Sequence, residues 1–259
     1  MAEPATLTVL TAAFVAGGVD AIVGGGGLIQ LPALVTALPN AAPPTLLGTS
    51  KLAGLAGTAS AAARYARHVA VPWRTLLPAA ALAALASLGG SVAVGFVPAR
   101  LFRPLVPVAL CVVLGYTLAH RDLGRIHAPR ALDRRATFTG IALVAAIGFY
   151  DGFFGPGTGS FLMLLFVRYY GFDFLNASAA ARLVNVGTNA ISLAWFASRG
   201  SVLWPLGLSM AVANVAGAQF GARVALRRGA GFVRVVFVTI VSALIAKTAW
   251  DALVLLSRG

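Results

Sequence analysis

Two glycine-rich segments, each beginning four residues after an aspartate, are the parts of this sequence best suited to bind a ligand. Residues 24–27 follow Asp20, and residues 155–159 follow Asp151. Each segment separates two apolar runs, so we expect a helix to break there and a new one to begin, because glycine and proline disfavour helix interiors. The first turn of a helix presents unbonded N–H groups and a positive dipole end, which together bind anions. The two segments therefore predict a pair of anion-binding helix ends.

Backbone amides and two hydroxyl groups are the candidate ligands in these segments. We predict that the substrate-binding residues there are Gly25, Gly26, Gly27, Gly157, Thr158, Gly159 and Ser160. The alternative is that the glycines only allow helices to pack closely, as small residues do in membranes. The pattern matches neither a phosphate-binding P-loop nor a dinucleotide-binding fingerprint.

Two basic residues lie within apolar runs rather than between them. Lys51 follows Ser50, and Arg182 is followed after three and seven residues by Asn185 and Asn189 on the same helix face. A charge inside a membrane span is costly and indicates function, and an oxyanion is well bound by such a set of donors. The alternative is that the two cations extend to the membrane surface. We predict that all five residues contribute to substrate binding.

Asp20 and Asp151 are predicted to act in gating or proton coupling rather than as ligands, because a carboxylate repels an anion. They could pair with Lys51 or Arg182, or take up a proton. The equally weighted alternative is a structural hydrogen bond to backbone groups freed at the broken helices.

Other chemistry is not indicated by the sequence. The three histidines, His68, His120 and His127, all fall between apolar runs, and no run contains a Ser/His pair or a spacing suited to metal ligands. We therefore expect no metal, no cofactor and no enzymatic activity.

The composition places these residues in a membrane protein. Of 259 residues, 59% are hydrophobic and only 10% are charged, whereas soluble domains have about 25% charged residues. The net charge of +13 could suggest nucleic-acid binding, but the arginines lie in short breaks between apolar runs, as in loops beside a membrane. The sequence therefore predicts one all-α polytopic domain over residues 1–259 in a lipid bilayer, with no nucleic-acid partner.

Ten apolar runs can be distinguished, and two of them are too short to span a bilayer, which needs about 20 residues. The runs cover residues 5–23, 26–38, 45–66, 74–97, 101–119, 137–154, 159–170, 176–198, 203–225 and 232–252. The short runs, 26–38 and 159–170, each follow a glycine-rich segment, so each predicts a broken or re-entrant helix.

The chain is an internal duplication in which one constant offset relates equivalent positions. The offset that takes Asp20 to Asp151 also aligns Gly17 with Gly148, Gly24 with Gly155, Lys51 with Arg182, Trp73 with Trp204, and Gly90 with Gly221. We predict a first repeat at 5–119, a basic linker at 120–136 and a second repeat at 137–252. Paired broken helices at matching places in two halves indicate a transporter binding site.

Loop charges favour halves of opposite orientation. If each broken element returns to its starting side, thirteen loop arginines lie on one side of the membrane and four on the other; if each crosses once, the split is ten to seven. Because positive charge concentrates on the cytoplasmic side, we predict two inverted repeats of about five helical segments each.

The same motifs resemble the TauE/SafE sulfite exporter family over nearly the whole chain. They are Asp-x-x-x-Gly-Gly-Gly-Gly-Leu-Ile from residue 20, Ser-Lys-Leu at 50–52, Asp-Gly-Phe-Phe-Gly-Pro-Gly-Thr-Gly-Ser-Phe from 151 and Ala-Arg-Leu-x-Asn-x-x-x-Asn at 181–189. Ser50 is a departure, since many members carry asparagine there. The resemblance implies a multi-pass secondary transporter of sulfite or organosulfonates in a bacterial inner membrane, for which a homodimer is plausible.

Together with the resemblance, the sequence thus predicts an exporter of small sulfur oxyanions that works by alternating access; coupling to protons is a further hypothesis. An anion channel using the same donors is the main alternative. A membrane enzyme and a scaffolding subunit are further alternatives.

Overall fold

The computed structural model describes residues 3–70, 73–98 and 133–256, and within these ranges every regular element is an α-helix. The helices are α1 Glu3–Val23, α2 Gly27–Ala37, α3 Pro43–Ala66, α4 Trp73–Val94, α5 Arg134–Phe153, α6 Thr158–Arg168, α7 Phe174–Ser198 and α8 Trp204–Leu256. The predicted all-α architecture is confirmed.

Local sequence explains where several helices begin. Pro43 stands in the first turn of α3, where its missing N–H costs nothing. Asp133 and Asp173 cap α5 and α7, each accepting a hydrogen bond at 2.7 Å from the backbone N–H three residues later. α8 contains a bend at Gly229, whose φ of 74° and ψ of −174° are not helical, so the predicted runs 203–225 and 232–252 form one bent element.

Three of the described helices are long and apolar enough to cross a membrane: Thr6–Val23 in α1, Leu76–Val94 in α4, and α5. Their outer faces carry large exposed apolar side chains, among them Leu7, Phe14, Leu85 and Phe138. α2 and α6 have 11 residues each. At 1.5 Å per residue they extend about 16 Å, roughly half of a bilayer's hydrocarbon core.

The two predicted helix breaks are present. Gly24 separates α1 from α2 with a φ of 76°, and Gly155 and Gly157 separate α5 from α6 with φ values of 91° and 84°. These left-handed conformations favour glycine. A Cβ atom on Gly26 would lie 2.7 Å from Cβ of Asp20, so the chain after the first break folds back against α1.

The helices of the two halves correspond at the offset that relates Asp20 to Asp151. α2, α3 and α4 begin at residues 27, 43 and 73, and α6, α7 and α8 begin at 158, 174 and 204. The first predicted run of the second half, which the sequence placed at 137–154, begins three residues earlier as α5. The run 101–119 and residues 120–132 of the predicted linker 120–136 lie outside the described residues; residues 133–136 are the cap and the first residues of α5.

Helices of one half pack mainly against helices of the other half. α1 packs on α8, and its counterpart α5 packs on α4; α3 packs on α8, and its counterpart α7 packs on α4. Glycines allow these close approaches: Gly17 faces the Asn214 carbonyl, and its counterpart Gly148 faces the carbonyl of Ala83. Because Ala83 and Asn214 are themselves equivalent positions of the two halves, the contact is repeated with the halves exchanged.

Candidate functional site

The two helix breaks lie against each other in the interior of the protein. The Ser160 N–H donates to the Gly24 carbonyl oxygen at 3.2 Å, and the Ser160 hydroxyl donates to the Val23 carbonyl oxygen at 3.0 Å. A Cβ atom on Gly159 would lie 2.5 Å from Cα of Gly24. The breaks, which stand at equivalent positions of the two halves, therefore form a single centre.

A cavity of about 60 Å³, with many polar residues in its wall, opens beside this centre; its volume is several times the roughly 10–15 Å³ that one ordered water requires. Its walls come from both halves. They include backbone from both breaks, at Gly24, Gly26, Gly27 and Gly155–Gly159, and the side chains of Asp20, Gln30, Ser50, Lys51, Thr58, Asp151, Asn185, Asn189 and Asn214.

Lys51 and Asp151 form an ion pair at this cavity. The Lys51 ammonium donates to Asp151 Oδ2 at 2.6 Å, and both side chains are buried, with 6% and 4% of their surfaces exposed. The pair joins α3 of the first half to α5 of the second. Within the described residues the Lys51 ammonium has no other hydrogen-bond partner. Lys51 thus lines the cavity, and its ammonium is bonded to a carboxylate.

Asp20 is bound differently from its counterpart Asp151. Its Oδ1 accepts a hydrogen bond from the Gly26 N–H at 3.3 Å, and its Oδ2 accepts one from the Thr58 hydroxyl at 3.0 Å. The carboxylate therefore caps the start of α2. Asp20 thus makes the structural hydrogen bond that was the alternative interpretation of the two aspartates. Asp151 instead forms an ion pair with a cation.

Arg182 lies behind the cavity wall. Its guanidinium donates to the carbonyl and hydroxyl oxygens of Ser178 and to the backbone carbonyl oxygen of Asp20. The ring of Tyr65 stacks on it, with its centroid 4.8 Å from the guanidinium carbon. The Arg182 side chain is fully buried, with 1% of the residue exposed, so it does not extend to the membrane surface. It binds the carbonyl end of α1 just before the first break.

Two asparagines supply the free polar groups of the cavity. Asn185 and Asn189, one turn apart on α7, both line it, and within the described part of the chain neither side-chain amide bonds to another protein group. The Oδ1 atom of Asn185 is buried without a partner. Their counterparts in the first half, Gly54 and Thr58, line the same cavity, so both halves present equivalent positions but the second half supplies the amides.

Gln30 and Asn214 are cavity residues that the sequence reading missed. Gln30 Nε2 donates to the carbonyl and hydroxyl oxygens of Ser50, at 2.9 Å each. Asn214 Nδ2 donates to Gln30 Oε1 at 2.9 Å and to the Ala13 carbonyl oxygen at 3.1 Å. The signal for both was an amide side chain inside an apolar run. The network fixes α2 to α1, α3 and α8, and it leaves the Ser50 hydroxyl proton for another acceptor.

The structure thus places most of the predicted site residues around one cavity. Those lining it are Asp20, Gly26, Gly27, Ser50, Lys51, Asp151, Gly157, Thr158, Gly159, Asn185 and Asn189, whereas Gly25, Ser160 and Arg182 lie just outside its walls. The Thr158 hydroxyl donates to the Gly155 carbonyl oxygen at 2.6 Å. The N–H groups of Gly26, Thr158 and Ser160 are also bonded within the protein. Three of the backbone donors predicted for the site are therefore already bonded within the protein.

Comparison with known proteins identifies similar membrane proteins. A family model described as sulfite exporter TauE/SafE matches residues 9–248. A probable membrane transporter protein, ORF9, of a Sinorhizobium species is 39% identical over 234 residues, which cover 90% of this chain and 88% of that protein. No significant match to a solved structure is found.

Two further relatives have the same kind of description. The probable membrane transporter protein YfcA of Escherichia coli K12 is 35% identical over 97% of this chain and 93% of its own length. A probable membrane transporter protein of Haemophilus influenzae is 34% identical over 92% of each chain. The likeness therefore extends through both halves, including both helix breaks.

Proposed function

Since the chain belongs to the TauE/SafE sulfite exporter family, we propose that this membrane transporter is a secondary exporter of small sulfur oxyanions such as sulfite or organosulfonates. It acts by alternating access across a bacterial inner membrane, which its helices cross several times. The substrate occupies the cavity between the two helix breaks.

One observation carries this proposal: the cavity gathers a cation and polar side chains that have no complete set of protein partners among the described residues. Lys51 provides a positive charge, Asn185 and Asn189 provide side-chain amides, and the Ser50 hydroxyl, which accepts from Gln30, keeps its proton for another acceptor. An oxyanion with several oxygens can accept from all of these groups at once, and hydrogen bonds to an ionised acceptor are the stronger kind.

The packing of helices from one half on helices of the other half supports alternating access. The first half contributes a broken helix and α3 to the cavity, and the second half contributes a broken helix, α7 and α8. The long helices α3, α7 and α8 pack chiefly on the other half. Transporters with repeats that meet at a central site move one repeat against the other around that site. A twofold relation between inverted halves is the geometry that makes such a movement open the cavity to either side in turn.

Flux into proteoliposomes tests the proposal. Purified protein should carry radiolabelled sulfite, kept under nitrogen to prevent oxidation, or an organosulfonate, with saturation and with acceleration by unlabelled anion on the opposite side. Lys51→Gln and Asn189→Leu should each lower this exchange at least tenfold, while Arg74→Gln, which removes an exposed cation that does not line the cavity, should leave it unchanged. Non-saturable flux without exchange acceleration would indicate a channel, and absence of anion flux would refute the proposal.

A further inference from the structure

The charges at the cavity do not favour an anion in the state described. Its ionisable wall residues are Asp20, Lys51 and Asp151, which together carry one net negative charge when all are ionised. Arg182, behind the wall, is directed to the Asp20 backbone carbonyl and brings the total to zero. A negatively charged substrate therefore enters a site that has no positive charge in excess.

The only cation in the described cavity wall is already bound. The Lys51 ammonium is 2.6 Å from Asp151 Oδ2, within the range of a short charge-assisted hydrogen bond. A sulfite or sulfonate oxygen can accept from another N–H of the ammonium, but the Asp151 carboxylate already neutralises its charge and repels a second anion. Asp151 and the substrate therefore compete for one positive charge.

We propose that Asp151 is the proton-coupling residue and that it couples by competing with the substrate anion for Lys51, an inference that rests on the anion-transport function above. A proton from solvent forms an O–H bond on the Asp151 carboxylate, which then no longer neutralises the Lys51 ammonium, and the bound anion becomes the counter-charge of Lys51. No covalent bond of the substrate changes. The site gains one proton and one monoanion together, so its net charge is the same before and after loading.

The surroundings of Asp151 agree with this assignment. The ionisable groups that act on it are Lys51 from α3, Asp20 from α1 and Tyr150 on its own helix. α6, α7 and α8 bring to this cavity the hydroxyl group of Thr158 and the amide groups of Asn185, Asn189 and Asn214, while Arg182 of α7 acts on Asp20. A neutral Asp151 therefore keeps polar neighbours, and the free amides of Asn185 and Asn189 lie in the same cavity wall.

Asp20 does not fit the same role. Its carboxylate accepts from the Gly26 N–H and the Thr58 hydroxyl, neither of which is a cation. Arg182 acts on this carboxylate, but its guanidinium lies behind the cavity wall and is bonded to Ser178 and to the Asp20 carbonyl oxygen. Protonation of Asp20 would therefore free no cation inside the cavity, and it would weaken the cap of α2. The two aspartates occupy equivalent positions in the two halves, yet only Asp151 neutralises the cation of the cavity wall.

Isothermal titration of the detergent-purified transporter with sulfite and with methanesulfonate tests this inference. Titration in buffers of different ionisation enthalpy counts the protons taken up per bound anion. Methanesulfonate stays a monoanion at every pH compatible with the folded protein, so its binding reports protons bound by the protein alone. We expect one proton per anion, and an affinity that falls about tenfold per pH unit on the alkaline side.

Three variants make the result specific. Asp151→Asn should bind the anion without proton uptake and, at alkaline pH, about tenfold more tightly than the wild type, because a neutral amide competes less well for Lys51. Asp151→Glu, which keeps a carboxylate, should restore proton uptake. Asp133→Asn, at the exposed start of the same helix, is the matched control, since asparagine also caps helices, and should behave as the wild type.

Each outcome decides between the two proposals. If neither anion binds the wild type, the proposed function fails and this inference fails with it. If an anion binds without proton uptake, or if Asp151→Asn keeps the wild-type proton count, the competition at Lys51 is refuted while anion transport stands. Sulfite can itself bind a proton, so for this anion the proton count of Asp151→Asn is subtracted from that of the wild type, and the contribution of the anion cancels. If Asp151→Asn does not fold, the wild-type proton count alone decides.

Discussion

Gly24 and Gly159 touch through their backbones, although they belong to different halves of the chain. The Ser160 N–H donates to the Gly24 carbonyl oxygen at 3.2 Å beside this contact. Because neither residue has a side chain, two interrupted helices can meet closely enough for both to border one small cavity. The central site depends on this approach as much as on its charged residues.

Gly159→Ala should destabilise the folded protein. Its Cβ atom would lie 2.5 Å from Gly24 Cα and 2.6 Å from the Gly24 carbonyl oxygen, and overpacking of this kind costs about 1–3 kcal/mol. Thermal unfolding in detergent, followed by tryptophan fluorescence, should show a lower midpoint. Gly54→Ala is the control, because no heavy atom lies within 4 Å of its added Cβ; an equal loss in both variants would contradict the packing argument.

Breaking the ion pair from one side should cost more than removing it altogether. Lys51→Met leaves Asp151 buried without its cation, and loss of one partner of a buried pair destabilises by about 3–5 kcal/mol in other proteins. The double variant Lys51→Met with Asp151→Leu should recover most of that loss in thermal unfolding, though it should not transport. A double variant less stable than both single variants would show that the pair is not the main interaction of either residue.

Arg182→Lys should impair the protein although it conserves the charge. An ammonium group cannot bond at once to both Ser178 oxygens and the Asp20 carbonyl oxygen while stacking on Tyr65. Loss of the hydrogen bonds from this charged group costs about 1–3 kcal/mol. Loss of the cation–π contact with Tyr65 costs about 0.5–2 kcal/mol. We therefore expect a lower free energy of unfolding.

The comparison for Arg182→Lys is Lys51→Arg, in which a guanidinium can still pair with Asp151. We expect thermal unfolding to place the midpoint of Arg182→Lys clearly below that of Lys51→Arg. A higher midpoint for Arg182→Lys than for Lys51→Arg would contradict the structural role assigned to Arg182.

Gln30 and Asn214 should be energetically coupled. Gln30→Leu removes the acceptor of Asn214 Nδ2 and the donor to Ser50, while Asn214→Leu removes the donor to Gln30. Residues of one hydrogen-bond network show interaction free energies of about 0.5–3 kcal/mol. Unfolding of both single variants and the double variant should give a value in that range, and strict additivity would contradict the network.

Much of the fold could be predicted because it follows from hydropathy and from the repeat. The breaks at Gly24 and Gly155 and the starts of α2 and α6 agree with the sequence within one residue. The packing of α1 and α3 on α8, and of α5 and α7 on α4, could not be predicted, since one sequence does not reveal which helices contact each other. Inversion of the repeats and the predicted linker remain sequence-based expectations.

The sequence indicated which residues lie near the cavity better than it indicated what each of them contacts. The alignment of Lys51 with Arg182 suggested equivalent ligands, but Lys51 lines the cavity while Arg182 binds a backbone carbonyl behind it. The difference arises from tertiary contacts. The several N–H groups of the Arg182 guanidinium bond to Ser178 and to the backbone carbonyl near the end of α1, whereas the Lys51 ammonium bonds to one carboxylate. Gln30 was missed because its importance comes from Asn214, which is 184 residues away.

The bond between Lys51 and Asp151 also constrains biogenesis. The two residues are 100 positions apart in the chain, so at typical synthesis rates the ribosome adds the aspartate roughly 5–20 s after the lysine. During that interval the nascent first half holds an ammonium group whose counter-charge has not yet been made. Insertion into the bilayer must therefore keep this region open to water, or to the translocation machinery, until the second half arrives.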